Sequence, residues 1–217
     1  MTAAEESKMN PDLASELAYV RSLAEEGRDA PLVSGVYYLL WGGLMTVAAL
    51  IVFLVVIGVL PFGRAGVFGP WMVAGAVGWA ASMWLGRRGG KKPGALTLGN
   101  RTASAVWFAV GVFMTAFWVA LMFVHDDFTA YGVPRYFLFS LMFPIAFGVY
   151  GVAFFATAVA ARLKWLKGFA LASWAFSVAS LFLLVSDYQF LLGAAGTFCC
   201  AVVPGALLMR NEPKDIV

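Results

Sequence analysis

The chain has 217 residues, of which 62% are hydrophobic and 12% charged, and its net charge is +3. A soluble domain carries roughly 25% charged residues, so this composition excludes an ordinary soluble fold and points to the bilayer. The small positive charge is no nucleic-acid signature, because the basic residues flank apolar runs instead of crowding one element.

Residues 1–33 are polar and acidic. They lack the apolar core and small-residue cleavage site of a signal peptide, and the expectation is that the first apolar run acts as an uncleaved signal anchor. Within this segment the pattern predicts one helix, Pro11 to Glu26. Pro11 suits its first turn, and Leu13, Leu17, Val20 and Leu23 fall on one face at helical spacing. Glu16, Arg21 and Glu25 lie away from that face, and Pro31 ends or bends the helix. Two readings stand side by side: a helix lying on the membrane or under the bundle, and a helix docking a cytoplasmic partner. Its acidic character argues against simple attraction to anionic lipid.

Six long runs without a charged residue follow: Val36 to Leu60, Val67 to Leu85, Ala103 to Val124, Tyr136 to Ala161, Gly168 to Val185, and Phe190 to Met209. A bilayer core needs about 20 apolar residues per helix. Barrel strands are about 10 residues long and alternate apolar with polar, which these runs do not. The expected fold is therefore an all-α polytopic membrane protein, with six spans arranged as three hairpins over residues 34–210 and a short tail, 211–217.

All but two of the 15 basic residues fall in the N-terminal segment, the second and fourth connections and the tail. Only Arg64 and Arg135 lie on the other side, so the positive-inside rule predicts both termini in the cytoplasm. The outer connections, Pro61 to Gly66, His125 to Arg135 and Ser186 to Gln189, leave no room for an external domain. The longest cytoplasmic connection, Gly86 to Thr102, is glycine-rich and is expected to be a flexible loop. It lacks the GxxxxGK[ST] pattern of a phosphate-binding loop.

A weak parallel repeat is visible in the hairpins. Tyr38, Gly42, Met45 and Thr46 align with Trp107, Gly111, Met114 and Thr115. The second helix of each hairpin carries a GxxG pair: Gly75/Gly78, Gly148/Gly151 and Gly193/Gly196. These six glycines are the expected helix contacts, because small residues let helices approach where lipid already satisfies apolar surface. Pro144 and Pro204 each remove a backbone donor inside a span and are expected to kink it.

Candidate chemistry is sparse. His125, Asp126 and Asp127, with Asp187, are the weak candidates for a metal site; consecutive residues on a helix point apart, and a solvated helix end explains them as well. Trp41, Trp79, Trp118 and Trp174 lie deep in their spans, where they either line a ligand cavity or fill space beside glycine. Cys199 and Cys200 are adjacent, with no CxxC or Cys/His metal spacing. One histidine cannot supply paired haem ligands, no span holds an ionisable relay, and no protease motif is present. A relay made of hydroxyls alone, through Tyr37, Thr46, Ser82, Thr115, Ser140, Tyr150, Thr157, Ser173, Ser177 and Ser180, competes with the plainer reading that they bond to backbone.

No cofactor is called for. The pattern resembles small multi-span proteins of bacterial inner membranes, which describes a type and implies no activity. The leading expectation is a non-enzymatic bundle that works through a protein partner, as accessory subunit, scaffold or membrane-embedded regulator. The alternative is a transporter, channel or lipid-handling protein for a neutral or lipophilic molecule. A homo-oligomer fits either, and lipid is the surrounding partner in both.

Overall fold

The computed structural model describes residues 15–16, 19–20, 32–89, 97–124, 127–134 and 137–210. Regular structure among them is helical. In chain order the helices are α1 (Gly35–Val56), α2 (Gly63–Gly89), α3 (Leu98–Val124), a 3-10 turn (Asp127–Tyr131), α4 (Phe137–Ser140), α5 (Met142–Ala160), α6 (Leu166–Leu181), α7 (Tyr188–Thr197), a π turn (Phe198–Val202) and α8 (Val203–Arg210).

Among the described residues, four rods are long and apolar enough to cross a bilayer: α1, α3, the α4–α5 rod and the rod running from Tyr188 to Arg210. Two of the six expected spans fall short of that standard for different reasons. Helix α2 has 27 residues, but its glycines and tryptophans dilute its hydropathy. Helix α6 is apolar but has only 16 residues, below the roughly 17–25 that a bilayer core asks for.

Helix α1 is the hub. It touches α2, α7, the π turn and α8. Helix α5 is the second hub, packed on α6 and α3, and the two halves meet where α6 touches α7 and the π turn and where Tyr38 of α1 packs on Trp107 and Phe154. The approach of α1 to the last rod depends on three glycines. A Cβ on Gly42 would lie 2.8 Å from Ala201 Cβ; one on Gly205 would lie 2.9 Å from the Leu39 nitrogen; one on Gly35 would lie 2.9 Å from the Met209 nitrogen. No other residue allows backbones to come this near.

Helix ends follow local rules. Gly58 closes α1 with φ +80°. Its N–H donates to the Val55 carbonyl and the Val59 N–H donates to the Leu54 carbonyl, the paired bonds of a Schellman cap. Arg162 caps α5 with φ 55°, and Val185 adopts φ 66° after α6. A β-branched residue in that region is strained.

The prolines act differently from a simple mid-span kink. The α4–α5 rod breaks at Leu141, and Pro144 sits in the first turn of α5, where a missing donor costs little. Pro204 follows the π turn directly. There the Val203 N–H reaches back to the Phe198 carbonyl, widening the helix where the proline ring would meet the carbonyl four residues before it.

The second connection is shorter than expected. Helix α2 continues to Gly89 and α3 starts at Leu98, so the ends of the Gly86 to Thr102 stretch are helical; residues 90–96 lie outside the described set. Asn100, expected in a flexible loop, is buried in the first turn of α3.

Candidate functional site

The site is built where the chain enters the bundle. Leu32 is 2% exposed and belongs to the same apolar cluster as Tyr38, Ala103, Phe154 and Leu166. The next residue is held by a side chain: the Val33 N–H donates to Asn100 Oδ1 at 2.9 Å, and Asn100 Nδ2 donates to Thr97 Oγ1 at 3.2 Å. The segment before α1 is thereby tied to the start of α3.

Beneath this latch, four polar atoms from three rods converge. The Tyr38 hydroxyl lies within hydrogen-bonding reach of the side chains of Thr157, Ser34 and Trp107. Aromatic rings pack around it: Tyr38 and Trp107 meet edge to face at 4.9 Å, and Trp107 and Phe154 at 4.8 Å. Tyr38 also packs on Phe154, and Trp107 on Tyr150. Among the described residues, Ser34 Oγ, Tyr38 Oη, Trp107 Nε1 and Thr157 Oγ1 are sealed from solvent and make no hydrogen bond of good geometry, as is Thr46 Oγ1 elsewhere in α1. Buried polar groups ordinarily find partners.

Elsewhere the bundle spends its polar groups on helix locking. Trp41 Nε1 donates to Ser82 Oγ at 2.9 Å and Trp79 Nε1 to Thr115 Oγ1 at 3.3 Å. Trp174 Nε1 donates to the Gly148 carbonyl at 3.2 Å, and its ring lies against Phe155. Ser177 Oγ donates to the Pro144 carbonyl at 2.6 Å. At the opposite end of the bundle, Gln189, 2% exposed, donates from Nε2 to the carbonyls of Ser140 at 2.8 Å and Ser180 at 3.1 Å. Ser140 lies four residues before Pro144, so its carbonyl is the one that proline deprives of a helical donor.

The expected residues are distributed as follows. Trp41 packs on Gly78 and Trp174 on Gly151, while the rings of Phe143 and of Phe147 with Phe176 occupy the places a Cβ would take on Gly193 and Gly196. Gly148 makes an ordinary contact with Ser177, and a Cβ on Gly75 would meet nothing. Three of the deep indoles therefore fill helix contacts; Trp118 is half-buried on α3. The hydroxyl relay does not assemble: Thr115, Ser140, Ser173, Ser177 and Ser180 donate to backbone carbonyls.

His125 and Asp126 lie outside the described residues, Asp127 and Asp187 are exposed, and no metal-holding group of side chains occurs among the described residues. Leu13, Leu17 and Leu23 also lie outside them, and Val20 is 60% exposed.

Sequence patterning missed Asn100, Gln189 and the Ser34–Tyr38–Trp107–Thr157 cluster. Asn100 and Gln189 are polar residues beside predicted loops, indistinguishable there from solvated ones. The cluster draws on positions scattered from 34 to 157, and its visible signals were the alignment of Tyr38 with Trp107 in the weak repeat and Thr157 among the hydroxyls of the spans. Comparison with protein-family models, with curated proteins and with solved structures finds no match.

Proposed function

We propose that this chain is a non-enzymatic membrane bundle of six spans, with both termini on the cytoplasmic side of a bacterial inner membrane, that works through a protein partner. The observation that carries this reading is the docked entry at Leu32 and Val33. It fastens the residues just before α1 to the start of α3, next to the segment whose Leu13, Leu17, Val20 and Leu23 a partner would engage. The interior supports the same reading, because its indoles, most of its paired glycines and the hydroxyls of Ser82, Thr115 and Ser177 fasten helices together. The test deletes Met1 to Ala30. The reading expects normal insertion with loss of association, and association that survives the deletion counts against it. A reporter fused after Val217 checks the orientation, and activity only outside the cytoplasm would reverse it.

One observation favours lipid handling as the second reading. A groove of roughly 560 Å³ lies between α1 and α2, lined by Val47, Ile51, Phe62, Ala65, Pro70 and Val73 among others. Its lining is apolar, as a lipid acyl chain requires. Retention of a lipid through purification, lost on replacing Ala65 by Trp, would favour it.

A further inference from the structure

We infer that the turn between α5 and α6 is a docking surface for an anionic phospholipid, with its phosphate at Arg162, Lys164 and Lys167 and an acyl chain along Val152, Phe155 and Val159. The inference is independent of the partner reading, since it concerns α5 and α6 and not the segment before α1.

Uncompensated charge is the first observation. Leu166, Leu208 and Ala103 share one buried cluster, and a Cβ on Gly99 would lie 3.2 Å from Ala161 Cα. The start of α3, the turn after α5 and the end of α8 therefore meet at one end of the bundle, where Arg101, Arg162, Lys164, Lys167 and Arg210 are exposed. From residue 32 to residue 210 the carboxylates are Asp126, Asp127 and Asp187. In the chain they come after α3 ends or before α7 starts, at the opposite end. Within the turn, Lys164 and Lys167 flank the start of α6, whose first turn has no acidic residue. A helix N-terminus carries partial positive charge and favours anions over cations. An anion from outside the bundle relieves both.

The position of the charge selects a lipid. Lys167 turns back along α5: its Nζ lies 5.5 Å from the centroid of the Phe155 ring, which stacks on Trp174. Phe155 lies five residues before Ala160, the last of α5, or about 7.5 Å inside the helix end. The ammonium is thus directed toward the apolar layer. Helix α6 packs along α5 in that layer, but its 16 residues are too few to cross it. Such a mismatch is met by a thinner bilayer and by flanking cations that reach the head groups, which brings phosphates to the first turn of α6. A Cβ on Gly168 would meet nothing, so no neighbouring helix covers that turn. Beside the ammonium, Val152, Phe155 and Val159 are exposed at i, i+3 and i+7, one apolar stripe on α5. A soluble anion would satisfy the cations and leave this stripe bare; an anionic phospholipid covers both.

The experiment uses the full chain in detergent, stripped of lipid and titrated with dioleoyl phosphatidylglycerol or dioleoyl phosphatidylcholine, with bound lipid counted by native mass spectrometry. The expected result is a clear preference for phosphatidylglycerol, and this preference in the parent chain decides the matter even if a variant fails to fold. Each lysine near a lipid surface contributes about fivefold, so Lys164→Gln combined with Lys167→Gln should weaken phosphatidylglycerol binding about 25-fold. Lys164→Arg combined with Lys167→Arg should keep it. Arg87→Gln, at the end of α2, should leave it unchanged, and lipid-free melting temperatures check that each variant is folded. Equal binding of the two lipids would overturn the inference, as would an equal loss in Arg87→Gln, the mark of diffuse attraction. Displacement of phosphatidylglycerol by inorganic phosphate, but not by chloride at the same ionic strength, would assign the turn to free phosphate and overturn it too. So would a preference that appears only after Met1 to Ala30 are removed, because the acidic N-terminal segment would then be the occupant.

Discussion

Replacing Gly205 by alanine should unfold the junction between α1 and the last rod, while the same change at Gly75 should not. The added Cβ at position 205 would lie 2.9 Å from the Leu39 nitrogen, 2.9 Å from Tyr38 Cβ and 3.0 Å from the Gly35 carbonyl oxygen, all short of the 3.4 Å at which ordinary contact begins. Two of these three are backbone atoms, so relief requires the helices to part and not a side chain to turn. Overpacking of this kind costs about 1–3 kcal/mol. At Gly75 the Cβ meets nothing, and the higher helix propensity of alanine leaves the change neutral or stabilising by up to about 1 kcal/mol. The assay is reversible unfolding of the detergent-solubilised protein by sodium dodecyl sulfate, followed by circular dichroism and tryptophan fluorescence. Equal destabilisation at the two positions would refute the packing described for α1 and α8.

Further predictions follow from the polar locks and the strained turn. Gln189→Leu should cost about 1–3 kcal/mol, because the Ser140 carbonyl loses its donor and the Ser180 carbonyl is left with the Leu183 N–H alone. Combining it with Pro144→Ala should cost less than the sum, since the restored N–H can serve the Ser140 carbonyl; strict additivity in a double-mutant cycle would contradict the link. Asn100→Leu should leave the bundle folded but speed amide exchange at Val33, and unchanged exchange there would show that the latch holds nothing. Val185→Gly should raise stability by about 1 kcal/mol in the same unfolding assay, because glycine adopts φ 66° without strain.

How much could be read beforehand varies with the kind of interaction. The apolar rods were legible, because burial in lipid requires long uncharged runs and nothing else. Their standing as spans was less so for α2 and α6, whose composition and length are marginal once the helix ends are set by Gly63–Gly89 and Leu166–Leu181. Glycine pairing was legible in part. The second glycine of each GxxG pair receives an aromatic ring, but Gly35, Gly42 and Gly205, where backbones come together, carry no short motif. The break at Leu141 could not be placed from Pro144 alone, because a proline near a helix start is accommodated by beginning the helix just before it. Asn100 and Gln189 were illegible for a different reason: a polar residue next to a turn signals solvent, and only the folded neighbours Val33, Ser140 and Ser180 show that each caps buried backbone.

The proposed partner would engage the segment that precedes Leu32. Native mass spectrometry of the intact assembly, extracted in native lipid discs, looks for that partner. The expected spectrum holds a second protein at fixed stoichiometry, lost when Met1 to Ala30 are removed. A lone chain or homo-oligomer, unchanged by that deletion and carrying only lipid, would rule the proposed partner out.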